Sequence, residues 1–290
     1  AQEMKQPLEV AIACVVDPVI QVAAATSIAF GLDEMDFAGG LRGAPVDVVD
    51  CETIDIAVPA TAEWILEGTF LPERDVAVGP HSNPVGYYDD AQLFPLIEIQ
   101  SITHRNNPIW YSTMEMEPPF DHNYMACLPI EGEVLSDLQA KIPEVKDVVV
   151  TPNLSYFVQL SVDGAQKPHS EFGKFVLQSV WDASGRWGKT AKVVVVVGPD
   201  VNPYDLSEIE WAINTRVQPY TDSIINKSGH AFLMDPSAEK DPGHGIALQS
   251  EQIGFDATIK IPERFQSYPE YSNADAEDVE AIAEKLKGLL

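Results

Sequence analysis

The stretch Val193-Val194-Val195-Val196-Val197, preceded by Lys192, contains five consecutive β-branched residues. A run of this kind without polar alternation predicts a strand that is buried on both faces, as in a parallel sheet covered by helices. Helical patterns flank it, one over residues 171–183 and one ending at Arg216. The second helix is predicted to open with Ser207-Glu208-Ile209-Glu210, which has the spacing of a capping box. This alternation of strand and helix predicts an α/β fold for the second half of the chain.

The first half of the chain opens with a similar pattern. Residues 8–16 form a nearly continuous apolar run, which predicts a buried strand. Asp17 followed by Pro18 is typical of an N-cap and the first helical position. The alanine-rich residues 19–30 therefore predict a helix, and Gly31 is a suitable residue to end it.

Farther along, the pattern changes several times. Residues 60–67 predict a short helix, and residues 71–90, punctuated by Pro and Gly, predict a long loop. Pro118, Pro119 and the polar residues up to Asn123 mark the best domain boundary. Further strands are predicted over residues 47–51, 53–58, 94–103, 109–113, 148–151 and 156–162.

The composition excludes some classes of function. The chain has 45 acidic and 18 basic residues, a net charge of −27, and 45% hydrophobic residues. This charge disfavours nucleic acids and anionic membrane surfaces as partners. No apolar run reaches the ~20 residues that span a bilayer, and no secretory signal is evident. Three widely spaced cysteines favour neither a disulfide framework nor a zinc site, so we expect a cytoplasmic protein. The Ala at position 1 is consistent with a processed subunit or a part of a longer chain.

Motifs based on a few residues are not informative here. The chain lacks a glycine-rich phosphate loop, a His-Glu-x-x-His sequence and a nucleophile elbow. Its six histidines are scattered, and a lone histidine is more often a surface or hydrogen-bonded residue than a ligand. Asp33, Glu34 and Asp36 form an acidic group that suits either a hard cation or a solvated turn.

Several longer segments, taken together, resemble the UbiD-like decarboxylases, enzymes that use prenylated FMN. The matching segments occur in the same order as in the family and extend over nearly the whole chain. The matching segments are Ala23-Ala24-Ala25-Thr26-Ser27 with Asp33-Glu34, Phe37-Ala38-Gly39-Gly40-Leu41-Arg42-Gly43, residues 58–68 (VPATAEWILEG), Ile102-Thr103-His104-Arg105, Asn107-Pro108-Ile109, Lys192 with Asp200-Val201, Trp211-Ala212 with Thr215-Arg216, and Gly254-Phe255-Asp256-Ala257-Thr258.

The resemblance implies a mixed α/β (α+β) fold. Residues 1–122 would form the later part of a split β-barrel that binds flavin, and residues 123–273 a C-terminal α/β domain. A terminal amphipathic helix over 274–290, with the stripe Val279, Ile282, Leu286 and Leu289, would contact another subunit or its own domain. The family's opening region, which carries a catalytic Arg and further metal ligands, has no counterpart here.

The resemblance also implies site residues. Ala24, Ala25 and Thr26 match the segment that passes the cofactor, and Lys192 matches a lysine near the flavin. Glu34 matches the ligand of a divalent metal, Mn²⁺ or Mg²⁺, that bridges to the flavin phosphate, and K⁺ is a further candidate ion. Carboxylate ligands suit these hard cations. For Lys192 the alternative is a charge at a strand end, and for the alanines it is ordinary helix packing.

One loop departs from the family pattern. The family has two glutamates there that act as acid and base, whereas this chain has Val78 and Asn83 in the frame of Gly79-Pro80 and Gly86-Tyr87-Tyr88. Neither replacement can transfer a proton, and acid–base catalysis contributes ~10²–10⁴-fold to rates. His81 is a candidate substitute, so His81 and Asn83 are the predicted catalytic positions.

Three interpretations of function follow. The first is a component of a decarboxylase or carboxylase that acts on an aromatic or α,β-unsaturated carboxylic acid, with a UbiD-like partner in a homo- or hetero-oligomer completing the site. The second is an inactive structural or regulatory subunit, which the loss of both glutamates favours. The third is an enzyme with altered acid–base chemistry in which His81 acts.

Overall fold

The computed structural model describes residues 6–28, 30–113, 115–183, 185–240, 247–261, 264, 266–269, 272 and 276–287. Two units follow each other along the chain. The elements of the first unit are β1 (Leu8–Cys14), α1 (Pro18–Ala25), α2 (Glu34–Arg42), β2 (Val48–Asp50), β3 (Ala57–Pro59), β4 (Trp64–Val78), β5 (His81–Ser82), β6 (Tyr88–Asp89) and β7 (Gln92–His104). Those of the second are α3 (Asp121–Gln139), β8 (Val145–Val150), β9 (Ser155–Leu160), α4 (Phe172–Trp181), α5 (Arg186–Lys189), β10 (Val193–Val197), α6 (Leu206–Arg216), β11 (Ser223–His230), β12 (Glu239–Lys240), β13 (Ala247–Ala257) and α7 (Ala276–Lys287).

The first unit is built on a three-stranded antiparallel sheet in the order β1-β4-β7. Cys14 pairs with Trp64, and Trp64 pairs with His104 on its other side. Helices α1 and α2 pack together through Ile20, Ala23 and Ala38. The pairs β2-β3 and β5-β6 form small hairpins beside the sheet. The first unit therefore combines one sheet with two short helices and two small hairpins.

Strand β4 contradicts two predictions from the sequence. Residues 60–67 were expected to be a helix and 71–90 a loop, but the strand runs from Trp64 to Val78 and the β5-β6 hairpin follows it. Pairing with β1 and β7 on both sides outweighs the helix propensity of this segment. Glu67 is fully buried in the strand, and its carboxylate accepts hydrogen bonds from the Thr53 hydroxyl and the backbone N–H groups of Glu52 and Thr53.

Other local predictions were partly right. Asp17 caps α1 by accepting a hydrogen bond from the Val19 N–H, as predicted, but α1 ends at Ala25 rather than Phe30. The predicted strand over 109–113 is irregular backbone. The capping box is also wrong, because Asp205 is the N-cap of α6, where its side chain accepts a hydrogen bond from the N–H of Ser207.

The second unit contains a mixed sheet in the order β11-β13-β10-β9-β8. The valine strand β10 lies at its centre, parallel to both β9 and β13. Val194 and Val196 face the core formed with α3 and α4, whereas Val195 and Val197 face the core formed with α6. The predicted strand buried on both faces is confirmed, and so is the predicted alternation of strand and helix around it.

An ionic cluster lies where the three parallel strands end. The buried Arg216 guanidinium donates two hydrogen bonds to Asp200, at 3.2 and 2.6 Å, and lies 3.7 Å from Asp163. A Cβ at Gly198 would be only 2.0 Å from Asp163 Oδ2, so a larger residue here would displace the Asp163 carboxylate. Burial is the main cause that raises the pKa of Asp163 to about 6.

The terminal helix begins at Ala276, close to the predicted start at 274, and its described side chains at Ile282 and Leu286 are about half exposed. Leu289 and the side chain of Val279, the rest of the predicted stripe, lie outside the described residues. A contact with another subunit through this helix therefore stays a prediction. In the part of the chain that the structure describes, no helix is long and apolar enough to cross a membrane.

Candidate active site

A cavity of about 450 Å³ lies between α1, the segment after β7 and the first turns of α3. Ala24 and Ala25 lie in its wall, in the last turn of α1, so two of the predicted cofactor residues line one cavity. Their small side chains leave room for a ligand to approach the helix backbone. Its lining residues are Gln21, Val22, Ala24, Ala25, Tyr111, Thr113, His122, Met125 and Ala126. We call it the helix cavity.

Thr26 follows directly as the C-cap of α1. Its hydroxyl donates a hydrogen bond of 2.7 Å to the carbonyl of Val22, a residue that lines the helix cavity. The hydroxyl is thus committed to the end of the helix. The third predicted cofactor residue therefore supports the cavity wall.

His122 is a titratable side chain in the helix cavity that the sequence analysis did not single out. Its ring meets Phe120 edge-on at 5.9 Å, and its Nδ1 lies 3.6 Å from Glu115 Oε1. No sequence pattern distinguishes it from the five other histidines, because its position is set by the packing of α1 against α3. The aromatic and carboxylate neighbours orient a group that can donate or accept a proton.

Glu63 positions the segment that closes the helix cavity. Its carboxylate accepts hydrogen bonds from the Arg105 guanidinium at 2.9 Å and from the Ile109 N–H at 3.0 Å. The Trp64 indole donates another to the Ile109 carbonyl at 3.1 Å. Tyr111 follows two residues later and accepts a hydrogen bond from Gln21, which joins this segment to α1. The irregular backbone after β7 is thus held at several points.

The predicted catalytic positions His81 and Asn83 lie in the β5-β6 hairpin. Asn83 is buried, and its side chain donates to Asp89 at 3.2 Å and accepts from the N–H groups of Val85 and Tyr87. These bonds fix the hairpin turn. His81 is exposed and pairs with Asp89 across the hairpin, while Val78 is exposed at the end of β4. The amide of Asn83 therefore has a structural task whatever its part in catalysis.

The hairpin faces the second unit across a cleft of about 500 Å³. Asn123, in the first turn of α3, donates a hydrogen bond of 3.1 Å to the Pro84 carbonyl of the hairpin. Because His122 precedes Asn123, α3 joins the helix cavity to this hairpin cleft. The cleft is lined by Val85, Gly86, Tyr87, Glu117, Pro118, Pro152, Asn153 and Leu154.

Unusual backbone occurs at both edges of this region. Val15, two residues before the N-cap Asp17 of α1, has a φ of 57°. Leu154, in the hairpin cleft, has a φ of 61°. Side chains such as these rarely adopt left-handed backbone, which costs ~1–3 kcal/mol at each position. Gly86 has a φ of 87°, and a Cβ there would be 2.9 Å from the Glu117 backbone. Strain concentrated around a cleft is typical of functional sites.

The acidic group around Glu34 does not form a complete metal site. Asp33 is the N-cap of α2, and its carboxylate accepts hydrogen bonds from the N–H groups of Met35 and Asp36. Glu34 is exposed in the first turn of the same helix. Across the described ranges, no group of three or more His, Cys, Asp or Glu side chains could hold a metal ion. Glu34 would need ligands from elsewhere.

Lys192 lies in the second unit, immediately before β10. Its ammonium donates hydrogen bonds of 2.6 Å to Asp235 and of 2.6 Å to Ser237. Burial tends to raise the pKa of Asp235, but the bonds to Lys192 and Ser237 outweigh it and lower that pKa. Two of the three ammonium N–H groups are used in these bonds, and the role of Lys192 beside a flavin stays a prediction.

Comparisons with known families agree with the resemblance. Residues 1–118 match the UbiD family's 3-octaprenyl-4-hydroxybenzoate carboxy-lyase Rift-related domain, and residues 123–257 match the C-terminal domain of the same carboxy-lyase. The chain therefore belongs to the UbiD family. The predicted family and the mixed α/β fold are both confirmed.

Comparison with individual relatives shows what share of their length this chain covers. An uncharacterized protein of Archaeoglobus fulgidus is 32% identical, over 98% of this chain and 58% of its own length. The UbiD-class enzyme HmfF from Pelotomaculum thermopropionicum, solved with FMN, matches with a TM-score of 0.82 and 29% identity over 98% of this chain and 60% of that chain. Vanillic acid decarboxylase from Sedimentibacter hydroxybenzoicus matches with a TM-score of 0.80 and 28% identity over 99% and 60%. The chain thus spans about three fifths of these relatives.

Proposed function

We propose that this chain is a component of a prenylated-FMN-dependent decarboxylase or carboxylase that acts on an aromatic or α,β-unsaturated carboxylic acid. The observation that carries the proposal is the helix cavity, where Ala24, Ala25 and His122 meet between the two units. Its volume lies in the usual range for small-molecule sites. The structural relatives support it, since HmfF has been solved with FMN and, in an evolved dimeric form, with prFMN.

The cofactor, when bound, would supply the electron sink that decarboxylation needs. The chain's own contribution would be position and proton transfer. In decarboxylation the bond to the carboxylate carbon breaks, CO₂ leaves, and a proton replaces it on the substrate carbon. His122 would deliver that proton, because an imidazole can hold a proton in the cavity and regain it from solvent. Glu115, 3.6 Å away, would keep the ring oriented.

A divalent metal would require a second contributor. Glu34 is exposed and offers one carboxylate, whereas octahedral Mg²⁺ or Mn²⁺ sites use several oxygen ligands. We propose that Glu34 supplies one ligand to Mn²⁺ or Mg²⁺ and that another polypeptide segment supplies the rest. K⁺ binding and a cytoplasmic location stay predictions that no described residue addresses.

The partner proposal is supported by the surface of the first sheet. Among the described residues, no further strand pairs with its outer strands β1 and β7, and apolar side chains are exposed on β7, with Leu93 at 68% and Ile102 at 57%. Exposed strand edges with apolar residues are prone to pair with further strands. The matching relatives are longer by about two fifths of their length. We propose that a UbiD-like partner, or the corresponding segment of a longer chain, covers this surface.

A second candidate is an inactive structural or regulatory subunit. Val78 cannot transfer a proton, and the Asn83 amide makes three hydrogen bonds within the hairpin. The hairpin would then keep the shape of the family's loop without its acid–base function. The chain would contribute surface to an active partner and would bind little flavin itself.

The first experiment is co-expression with a flavin prenyltransferase and a UbiD-like partner, followed by ultraviolet–visible spectra and intact masses of every chain and released cofactor. We expect stoichiometric prenylated FMN and its loss in Glu34→Ala. Flavin held only by the partner would overturn the active-component proposal and favour the second candidate.

The second experiment separates the two histidines by measuring CO₂ release from a panel of aromatic acids. We expect His122→Asn to lower turnover by ~10²-fold or more with flavin content unchanged, and His81→Ala to have little effect. A large loss of turnover in His81→Ala with little loss in His122→Asn would assign proton transfer to His81 in the hairpin, which is the third interpretation of the sequence.

A further inference from the structure

A basic cavity of about 530 Å³ lies in the second unit between α5 and the facing ends of β11 and β13. No part of the proposed decarboxylase site uses it. Its lining residues are Arg186, Lys189, Thr190, His230, Ala231, Phe232, Leu233, Ala247 and Leu248.

The charge of this cavity is opposite to that of the chain. Acidic residues outnumber basic ones 45 to 18 in the sequence, yet the nine described lining residues include two permanent cations and no carboxylate. A histidine adds a hydrogen-bonding group. Arg186 and Lys189 are one turn apart on α5, so both side chains originate from one short element. A cationic cavity in an acidic protein concentrates positive potential, which attracts anions.

Asp235, a carboxylate of the adjoining loop, already has several hydrogen-bond partners. Asp235 accepts hydrogen bonds from Lys192 and Ser250 on one oxygen and from the Ser237 N–H and hydroxyl on the other. Its oxygens are therefore occupied by these donors, and Asp235 is not among the residues that line the cavity.

Aromatic packing holds the arginine in place. The Arg186 guanidinium lies 4.9 Å from the centre of the Trp187 ring, and Trp187 in turn stacks on Phe232 at 6.3 Å. Stacking reduces the freedom that the guanidinium would lose on binding an anion. The remaining wall, formed by two alanines and two leucines, is apolar. The cavity therefore combines a charged end with an apolar body.

We propose that the basic cavity binds an organic anion with one carboxylate or phosphate group attached to an apolar body. Arg186 would hold the anionic group by paired hydrogen bonds, and the Thr190 and His230 side chains would lie beside it. Phe232 and Leu248 would contact the apolar part. The proposal does not depend on the decarboxylase function.

The test uses the full chain and three small probes: benzoate, inorganic phosphate and benzyl alcohol. Amide chemical shifts followed by NMR should move for Thr190, Ala231 and Leu248 on addition of benzoate. Arg186→Gln should weaken this binding at least tenfold, the effect of losing one charge-assisted hydrogen bond. Arg74→Gln, an exposed arginine on β4, is the matched control and should bind as the wild type does.

The probes distinguish the parts of the proposal. Benzyl alcohol should not bind, because it lacks the anion. Benzoate that binds more tightly than inorganic phosphate would support a ligand with an apolar body, whereas equal binding would show that the apolar wall contributes nothing and would overturn that part of the proposal. Shifts confined to the helix cavity, or benzoate binding that is unchanged in Arg186→Gln with native circular dichroism, would overturn the proposal.

Discussion

The two sheets of this molecule differ in how completely their strands are buried. The central strands of the second sheet are covered on both faces by helices, and Val194, Val196 and Val197 are completely buried. Among the described residues, the first sheet has three strands. In its long strands β4 and β7, most residues of the C-terminal half are exposed. The second unit therefore has a large hydrophobic core of its own, whereas the first has two small buried clusters and leaves exposed the surface that we propose a partner covers.

The largest expected effect is a charge placed in the second sheet. Val196→Asp buries an unpaired carboxylate between helices, and we expect it to lower the free energy of unfolding by more than about 4 kcal/mol. Leu93→Asp, at an exposed position of β7 in the first sheet, is the control and should cost less than about 1 kcal/mol. Urea unfolding followed by circular dichroism measures both. Equal losses would show that the two sheets are buried alike.

The next effect compares two ion pairs. Arg216→Met leaves Asp200 and Asp163 without their buried partner, so we expect a loss of about 3–5 kcal/mol. Arg42→Met removes a pair with Asp17 in the first unit in which both side chains are about one third exposed, and it should cost less than about 1 kcal/mol. The same urea titration applies. A small loss for Arg216→Met would mean that water reaches the cluster.

Asp163 gives the second unit a distinct pH response. Its pKa of about 6 in the folded state lies above the 3.8 of a free aspartate, so the folded state binds its proton more tightly. This contribution to stability is fully present below pH 3.8 and is lost as the pH rises through 6. At pH 7 the ionised group costs up to ~3 kcal/mol, from a shift of ~2 units. Asp200 and Arg216 are the charged groups that face it.

Asp163→Asn should therefore stabilise the chain at pH 7 and have little effect at pH 4. Unfolding free energies at both values, compared with the wild type, measure the difference. Asp90→Asn, at an exposed position, should leave the pH profile unchanged. Destabilisation of Asp163→Asn at pH 7 would show instead that the charge is needed by Arg216.

The smallest effect on stability is expected on the exposed surface of β7. Replacing Leu93, Phe94, Ile99 and Ile102 together by Ser should change the stability of the isolated chain by less than about 2 kcal/mol, from about 0.5 kcal/mol for each exposed position. Association should fall strongly, as measured by sedimentation velocity over a range of concentrations. Ile225→Ser, at an exposed apolar position on β11, should associate as the wild type does. Unchanged association of the fourfold variant would contradict a role of this surface.

Local sequence determined the elements whose signals do not depend on distant residues. The five valines specify a doubly buried strand because no polar side chain interrupts them, and Asp17-Pro18 specifies a helix start because both effects act within one turn. The family segments, in their order along the chain, likewise sufficed to predict the family. The helix predicted over residues 60–67 was wrong because the helix propensity of this segment is weaker than the stabilisation from strand pairing on both sides of β4.

Only the tertiary structure decided the features that depend on packing between distant segments. His122 stands out because α3 carries it to the last turn of α1, about a hundred residues earlier in the chain. The raised pKa of Asp163 arises from burial among the ends of three strands, and the basic cavity arises where α5 meets β11 and β13. Sequence patterns encode propensity and periodicity over a few turns, whereas proximity, burial and local electric field exist only after the chain has folded.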